Sequence, residues 1–242
     1  MMKRIVTLIL LLMLLCPTVM AEGERAIDPQ KPMLALTFDD GPTEHTLDIL
    51  SMLAEFDCRA TFFVIGNRVY GNETIVQATA TAGHEIGNHT WNHPHLDQLT
   101  VNQINSALRF CNERVIDAIG TAPKLLRPPY GSISRNVYYE AKDYHLMTVL
   151  WSLDTNDWDV RDVEKIYQTI MKNVRDGDII LCHDTVPQSI EALRRAIPEL
   201  QAQGYQFVTV SEMFSFAQEE MKYMHKYSHV YPDERKTSIV QN

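Results

Sequence analysis

The sequence predicts an α/β protein of parallel strands joined by crossover helices. Two observations lead there. Short apolar runs bounded by Gly or Pro alternate with helix-period segments about seven times along the chain. That rhythm means a parallel sheet, either a barrel or an open doubly wound sheet. The unusual polar clusters also fall just after the predicted strands, and in a barrel those positions share the face where active sites lie. The 242 residues suffice for one large domain with a well-buried core.

In order, Lys3 and Arg4 precede the apolar run Ile5–Cys16, and Thr18–Ala21 ends on a small residue. This is the pattern of a secretory signal peptide over residues 1–21, cleaved after Ala21, so the mature chain is expected to be secreted. Left uncleaved, the leader would be a membrane anchor, although its run is short for a span. Residues 22–32 read as a polar linker and residues 33–217 as the folded domain. Strands are predicted over 33–38, 60–65, 84–88, 125–126, 146–153, 178–182 and 205–210. Between them, helices are predicted over 43–56, 73–82, 100–119, 136–142, 163–174 and 189–203. Gly83, Gly120 and Gly204 supply helix stops. The polar C-terminal tail, 218–242, is charged and lacks periodicity, so it is expected to be peripheral.

The formal charge of −9 becomes −11 once Lys3 and Arg4 leave with the leader. So acidic a chain, with no basic stripe, is a poor nucleic-acid binder. Cys16 leaves with the leader, and the three cysteines that remain, Cys58, Cys111 and Cys182, are odd in number and irregularly spaced, which argues for core residues and against a disulfide framework.

Five polar clusters could carry chemistry. The run Leu34–Pro42 ends in Asp39-Asp40-Gly41-Pro42, two carboxylates at a strand end. If the chain turns at Gly41, both can reach one pocket, one to bind a metal and the other to move protons. His89 and His93 are four apart, a spacing that on one side of a helical turn chelates a divalent ion. Arg127 opens the stiff turn Arg127-Pro128-Pro129-Tyr130-Gly131; aimed at a carboxylate, it would lower that group's pKa. Asp154-Thr-Asn-Asp157-Trp158 offers two acids and an indole, which suit a sugar site. His183 ends another apolar strand, where a proton donor to a leaving group could sit. The remaining histidines show no comparable partner.

Together and in this order, Thr37-Phe38-Asp39-Asp40-Gly41-Pro42, His89-x-x-x-His93-Pro94, Arg127-x-Pro129-Tyr130-Gly131, Asp154-x-x-Asp157-Trp158 and Leu181-x-His183 resemble the five motifs of the polysaccharide deacetylase family. That family is also called the NodB-homology or carbohydrate esterase family 4. The resemblance spans about 33–214 and implies a distorted (β/α) barrel, often of seven strands. It implies that Asp40, His89 and His93 bind a divalent metal, commonly zinc or cobalt. Asp39 would be the general base tethered by Arg127, and His183 the general acid oriented by Asp157. Trp158 and Leu181 would line the acetyl pocket, with Pro129 and Tyr130 also at the substrate. The backbone N–H of Tyr130 would hold the oxyanion. The expected partner is an acetylated polysaccharide or oligosaccharide: peptidoglycan, chitin oligomers or acetylated xylan. Two rivals use the same residues. A non-haem iron facial triad leaves Asp39, Arg127 and His183 idle, and a non-catalytic sugar-binding domain would not need both base and acid.

Overall fold

The structure is a computed structural model and describes residues 26–236. The predicted signal peptide and its cleavage point lie outside the described residues. The chain runs β1 (Met33–Gly41), α1 (Thr46–Glu55), β2 (Ala60–Val64), α2 (Gly66–Val69), α3 (Glu73–Thr81), β3 (Glu85–Asn88), α4 (Val101–Ile119) and β4 (Leu125–Leu126). It continues through α5 (Arg135–Asp143), β5 (Met147–Val149), β6 (Leu153–Asp154), α6 (Asp157–Val160), α7 (Val163–Asn173) and β7 (Ile179–His183). It closes with α8 (Pro187–Ala202), β8 (Gln206–Phe207), α9 (Val210–Ser215) and β9 (Lys226–Tyr227).

One sheet takes the order β6-β7-β1-β2-β3-β4-β5-β9, with β8 also on β1. Its strand pairings are all parallel. The sheet is a curled, incompletely closed (β/α) barrel, with β5 and β6 at either side of the seam. The single strand predicted over 146–153 is therefore two, because the chain crosses the seam at Leu150–Ser152. Its mostly apolar character, broken only by Thr148 and Ser152, hid the crossing. The predicted seventh strand is also shorter than expected: Thr209 accepts from the Glu212 N–H at 3.1 Å and starts α9 instead.

Alternation along the strands decides which side chains face the barrel interior. On β1, Leu34, Leu36 and Phe38 pack outward with helix residues such as Leu53, Ile170 and Leu193. Met33 and Ala35 pack inward with Phe63, Leu125, Val149 and Ile179. Continuing that parity, Thr37 and Asp39 follow Ala35 into the interior, as Arg127 follows Leu125 and as Leu181 and His183 follow Ile179. Gly87 on β3 is needed for packing: a Cβ there would lie 2.4 Å from the Phe63 ring. Cys58, Cys111 and Cys182 are all buried, as expected of core residues.

The tail is not peripheral. β9 pairs with β5, Val230 is buried, and the buried Arg235 pairs with Asp176 beside β7. The expectation failed because this segment packs by isolated contacts, which leave no periodicity to read.

Candidate active site

At the C-terminal end of β1 the register shifts between Asp39 and Gly41, and Asp40 takes φ 71°. Regular alternation would send Asp39 and Asp40 to opposite faces. The bulge turns Asp40 back, so both carboxylates serve one site. Gly41 sits against a second support, since a Cβ there would lie 2.7 Å from an Asp184 carboxylate oxygen. Asp184, fully buried, accepts from the hydroxyls of Thr43 and Thr46 and fixes the turn.

His89 and His93 follow β3 in an irregular turn and not in the helical turn that the spacing suggested. Thr90 and His93 both have positive φ, 68° and 61°. The turn is held by Asn88, which accepts from the Thr90 N–H at 2.7 Å, and by Thr90, which accepts from the His93 N–H at 3.1 Å. Left-handed conformations at non-glycine residues cost energy and concentrate where geometry matters. Burial pushes the pKa of His89 down to about 3, against the pull of Asp40, so its ring is neutral near pH 7. Its Nδ1 lies 2.7 Å from the Arg127 carbonyl and must therefore donate, which leaves the Nε2 lone pair facing Asp40 Oδ1 at 3.5 Å. His93 Nε2 lies 3.3 Å from the same oxygen, and burial lowers its pKa also. Asp40 Oδ1 is buried without a hydrogen-bond partner. Ligand atoms of Asp40, His89 and His93 all lie within 4.8 Å of one another. Lone pairs converging on an unpartnered buried carboxylate oxygen fit a divalent cation, and two imidazoles with one carboxylate are an ordinary donor set for a catalytic one.

Arg127 is fully buried and donates to Asp39 Oδ1 at 2.8 Å, Thr37 Oγ1 at 2.6 Å and the Leu150 carbonyl at 2.8 Å. Its guanidinium lies 4.2 Å from the centre of the Phe63 ring, which the space at Gly87 accommodates. The sequence suggested that this arginine would lower the carboxylate's pKa. The net direction is the reverse: burial raises Asp39 above the usual carboxylate value, and Arg127 only opposes it. A raised carboxylate is the better proton acceptor.

His183 Nδ1 lies 2.6 Å from Asp157 Oδ1, and Asp157 also accepts from the His183 and Trp158 N–H groups, both at 2.8 Å, and from the Ser189 hydroxyl at 2.5 Å. Burial alone would lower the His183 pKa. The hydrogen bond and charge of Asp157 outweigh it and raise the pKa to about 9. The ring is protonated at neutral pH, as a general acid requires.

Asp39, Asp40, His89, His93 and His183 line one cavity of about 580 Å³, with Leu181, Trp151, Trp158 and Tyr130 among its walls. Tyr130 takes φ 60° and Trp158 is more than half exposed. Pro129 is buried in the turn below Tyr130 and does not line the cavity, contrary to its expected place at the substrate.

The family model described as polysaccharide deacetylase matches residues 26–149. A peptidoglycan-N-acetylglucosamine deacetylase of Bacillus cereus is 41% identical over 194 residues, 76% of this chain and 89% of that protein. The chain belongs to the polysaccharide deacetylase family. It is accordingly a hydrolase acting on carbon–nitrogen bonds. The peptidoglycan-N-acetylmuramic acid deacetylase PdaC of Bacillus subtilis is 38% identical over 78% of this chain, which spans only 40% of PdaC. The structure of PdaC superposes with TM-score 0.74 at 36% identity, covering 77% of this chain and 92% of that one. A family 4 acetyl xylan esterase from Clostridium thermocellum, in complex with a cobalt ion, superposes with TM-score 0.77 at 34% identity, covering 82% of this chain and 98% of that one.

In this deacetylase several residues of the site carried no role in the sequence. His95 seemed partnerless, yet its ring stacks on Tyr130 at 3.8 Å, and Tyr130 in turn meets the edge of His93 at 4.6 Å. Ser189 and Thr37 complete the shells of Asp157 and Arg127. Trp151 and Arg161 enter the cavity wall. None had a local signal: Ser189 lies inside a helix and Trp151 inside an apolar run.

Proposed function

We propose that this deacetylase is a secreted, metal-dependent enzyme that removes N-acetyl groups from the N-acetylglucosamine-type residues of peptidoglycan or chitin-like oligomers. One observation carries the reading: a carboxylate held by a buried arginine, a triad of metal-type donors and a carboxylate-held imidazolium all open on one cavity. Asp40, His89 and His93 are the residues that would hold the ion, zinc first and cobalt second. The ion supplies a Lewis acid and a water acidified to near neutral pH.

The chain's own groups supply the rest. Asp39 takes the proton from the attacking water, and its fixed bond to Arg127 keeps the receiving oxygen aimed. The Tyr130 N–H donates to the oxygen that gains charge as the carbonyl becomes tetrahedral. His183 gives its proton to the departing amine, and Asp157 steadies the imidazolium until it does. Leu181 and Trp158 form an apolar wall for the acetyl methyl group. An alkoxide leaves more easily than an amine anion and so depends less on the proton from His183, and the same groups also serve O-acetyl esters of the kind named for the Clostridium esterase.

Acetate release from N-acetylglucosamine oligomers, peptidoglycan and acetylated xylan, with and without added zinc, tests the reading. Turnover on the first two that is lost on chelation and restored by zinc is expected. Absence of acetate from all three by the zinc-loaded protein would overturn it in favour of a sugar-binding domain.

A further inference from the structure

The wall of the cavity contains a cation that the reaction above does not use. Arg161 lines the cavity beside Trp158. It ends α6, the four-residue helix that presents Asp157 and Trp158, and takes φ 41°. Glycine is the residue a left-handed helix end favours, and arginine is disfavoured there. An arginine kept at a strained position points to a use for its side chain. That side chain is uncommitted. Seven arginines of the described chain pair with carboxylates: Arg59, Arg109, Arg114, Arg127, Arg194, Arg195 and Arg235. Arg161 is not among them, and its one protein bond is from Nε to the Trp158 carbonyl at 3.4 Å. Its two terminal nitrogens, the fork that grips a carboxylate, have no partner among the described residues.

The rest of the cavity sharpens the inference. Asp39, Asp40 and Asp154 also line it, whereas Arg127 is buried and spent on Asp39 and Arg68 is bonded to the Asp40 carbonyl. The scissile acetyl group takes the space at the metal donors and His183, and away from them a substrate carboxylate beside Asp154 would meet like charge. Placed at Arg161 it would be held, so the arginine selects the acidic substituent and its orientation together.

We propose that Arg161 is a specificity residue that binds a carboxylate on the glycan, so that the preferred substrate is an acidic N-acetylhexosamine strand, such as one bearing lactyl ether acids of the muramic type. This rests on the deacetylase reading and narrows it. A neutral chitin-type oligomer lacks the group and is the poorer substrate.

The test uses the zinc-loaded full chain and three probes: an N-acetylglucosamine tetramer, a stem-free peptidoglycan tetrasaccharide with free lactyl carboxylates, and the same tetrasaccharide with those carboxylates converted to methylamides. Wild type should favour the free acid over its methylamide by about ten- to a hundredfold in kcat/KM, mostly through KM. Arg161→Gln should bring that ratio close to unity, and Arg161→Lys should keep part of it. Calorimetry on the metal-free protein should show weaker binding of the acidic tetrasaccharide to R161Q by the same factor. Arg175→Gln removes an equal charge outside the cavity and should keep the wild-type ratio. Equal rates on acid and methylamide by wild type, an unchanged ratio in R161Q, or the same loss in R175Q would overturn the proposal while leaving the deacetylase reading intact. No acetate from any of the three probes would overturn both.

Discussion

At the residue scale, the adjacent carboxylates divide the work because their surroundings differ. Asp39 is bonded to Arg127, whereas Asp40 Oδ1 has only the two imidazoles beside it. Asp39→Asn should therefore keep metal binding and lose turnover, and Asp40→Asn should weaken metal binding first. Metal titration of the purified apo-variants checks the order, with acetate release read in parallel. The His183–Asp157 pair makes a second prediction. In the metal-free protein the His183 ring should titrate near 9, above its ordinary 6.5, and Asp157→Asn should bring that value down. A raised imidazole pKa stabilises the fold fully below about pH 6.5, and the gain is lost as pH rises through about 9. NMR titration of the ring reads both. Removing the donor with His183→Ala should slow amide substrates ~10²–10⁴-fold and spare activated acetyl esters, whose leaving groups need no proton. Equal losses on both substrate types would sink the acid role.

At the element scale, the site depends on places where an element stops being regular. β1 bulges at Asp40, the turn after β3 has two left-handed residues, and α6 lies between left-handed Asn156 and Arg161. Regular elements beneath hold these places rigid. Gly87 of β3 shows the dependence. Its missing side chain admits the Phe63 ring, and that ring carries the Arg127 guanidinium. Gly87→Ala should displace the ring and destabilise the protein by about 1–3 kcal/mol, the usual cost of overpacking. Activity should fall further than the folded fraction does, since Arg127 aims Asp39. Thermal unfolding and activity measured on one preparation separate the two effects.

At the scale of the whole molecule, the seam between β5 and β6 leaves the edge of β5 to be covered by β9, and the buried Val230 and Arg235 anchor that cover. Deleting residues 218–242 should uncover the edge and cost at least about 2 kcal/mol from apolar burial alone, a fall in Tm of roughly 4–8 °C. A melt unchanged by the deletion would mean that the segment is ornamental. The proposed leader makes a separate prediction: protein collected outside the cell should begin at Glu22, as N-terminal sequencing would show.

Much of this molecule was legible one residue at a time. Alternating apolar runs and helix periods determine the parallel α/β architecture, because each local pattern can bury its face in only a few ways. The motif clusters were legible too, since carboxylates and imidazoles at the ends of apolar strands are costly to bury and conspicuous in a sequence. The rest was decided by contacts between distant segments. The break in the run 146–153 depends on where the barrel opens. The net direction of the Asp39 pKa depends on how deeply the neighbouring strands bury it. The stack of His95 on Tyr130 joins two loops 35 residues apart, and the cover over β5 comes from a segment with no pattern of its own. Such features are absent from the sequence for a physical reason: burial and partnership belong to pairs of residues, and only the closed barrel brings those pairs together.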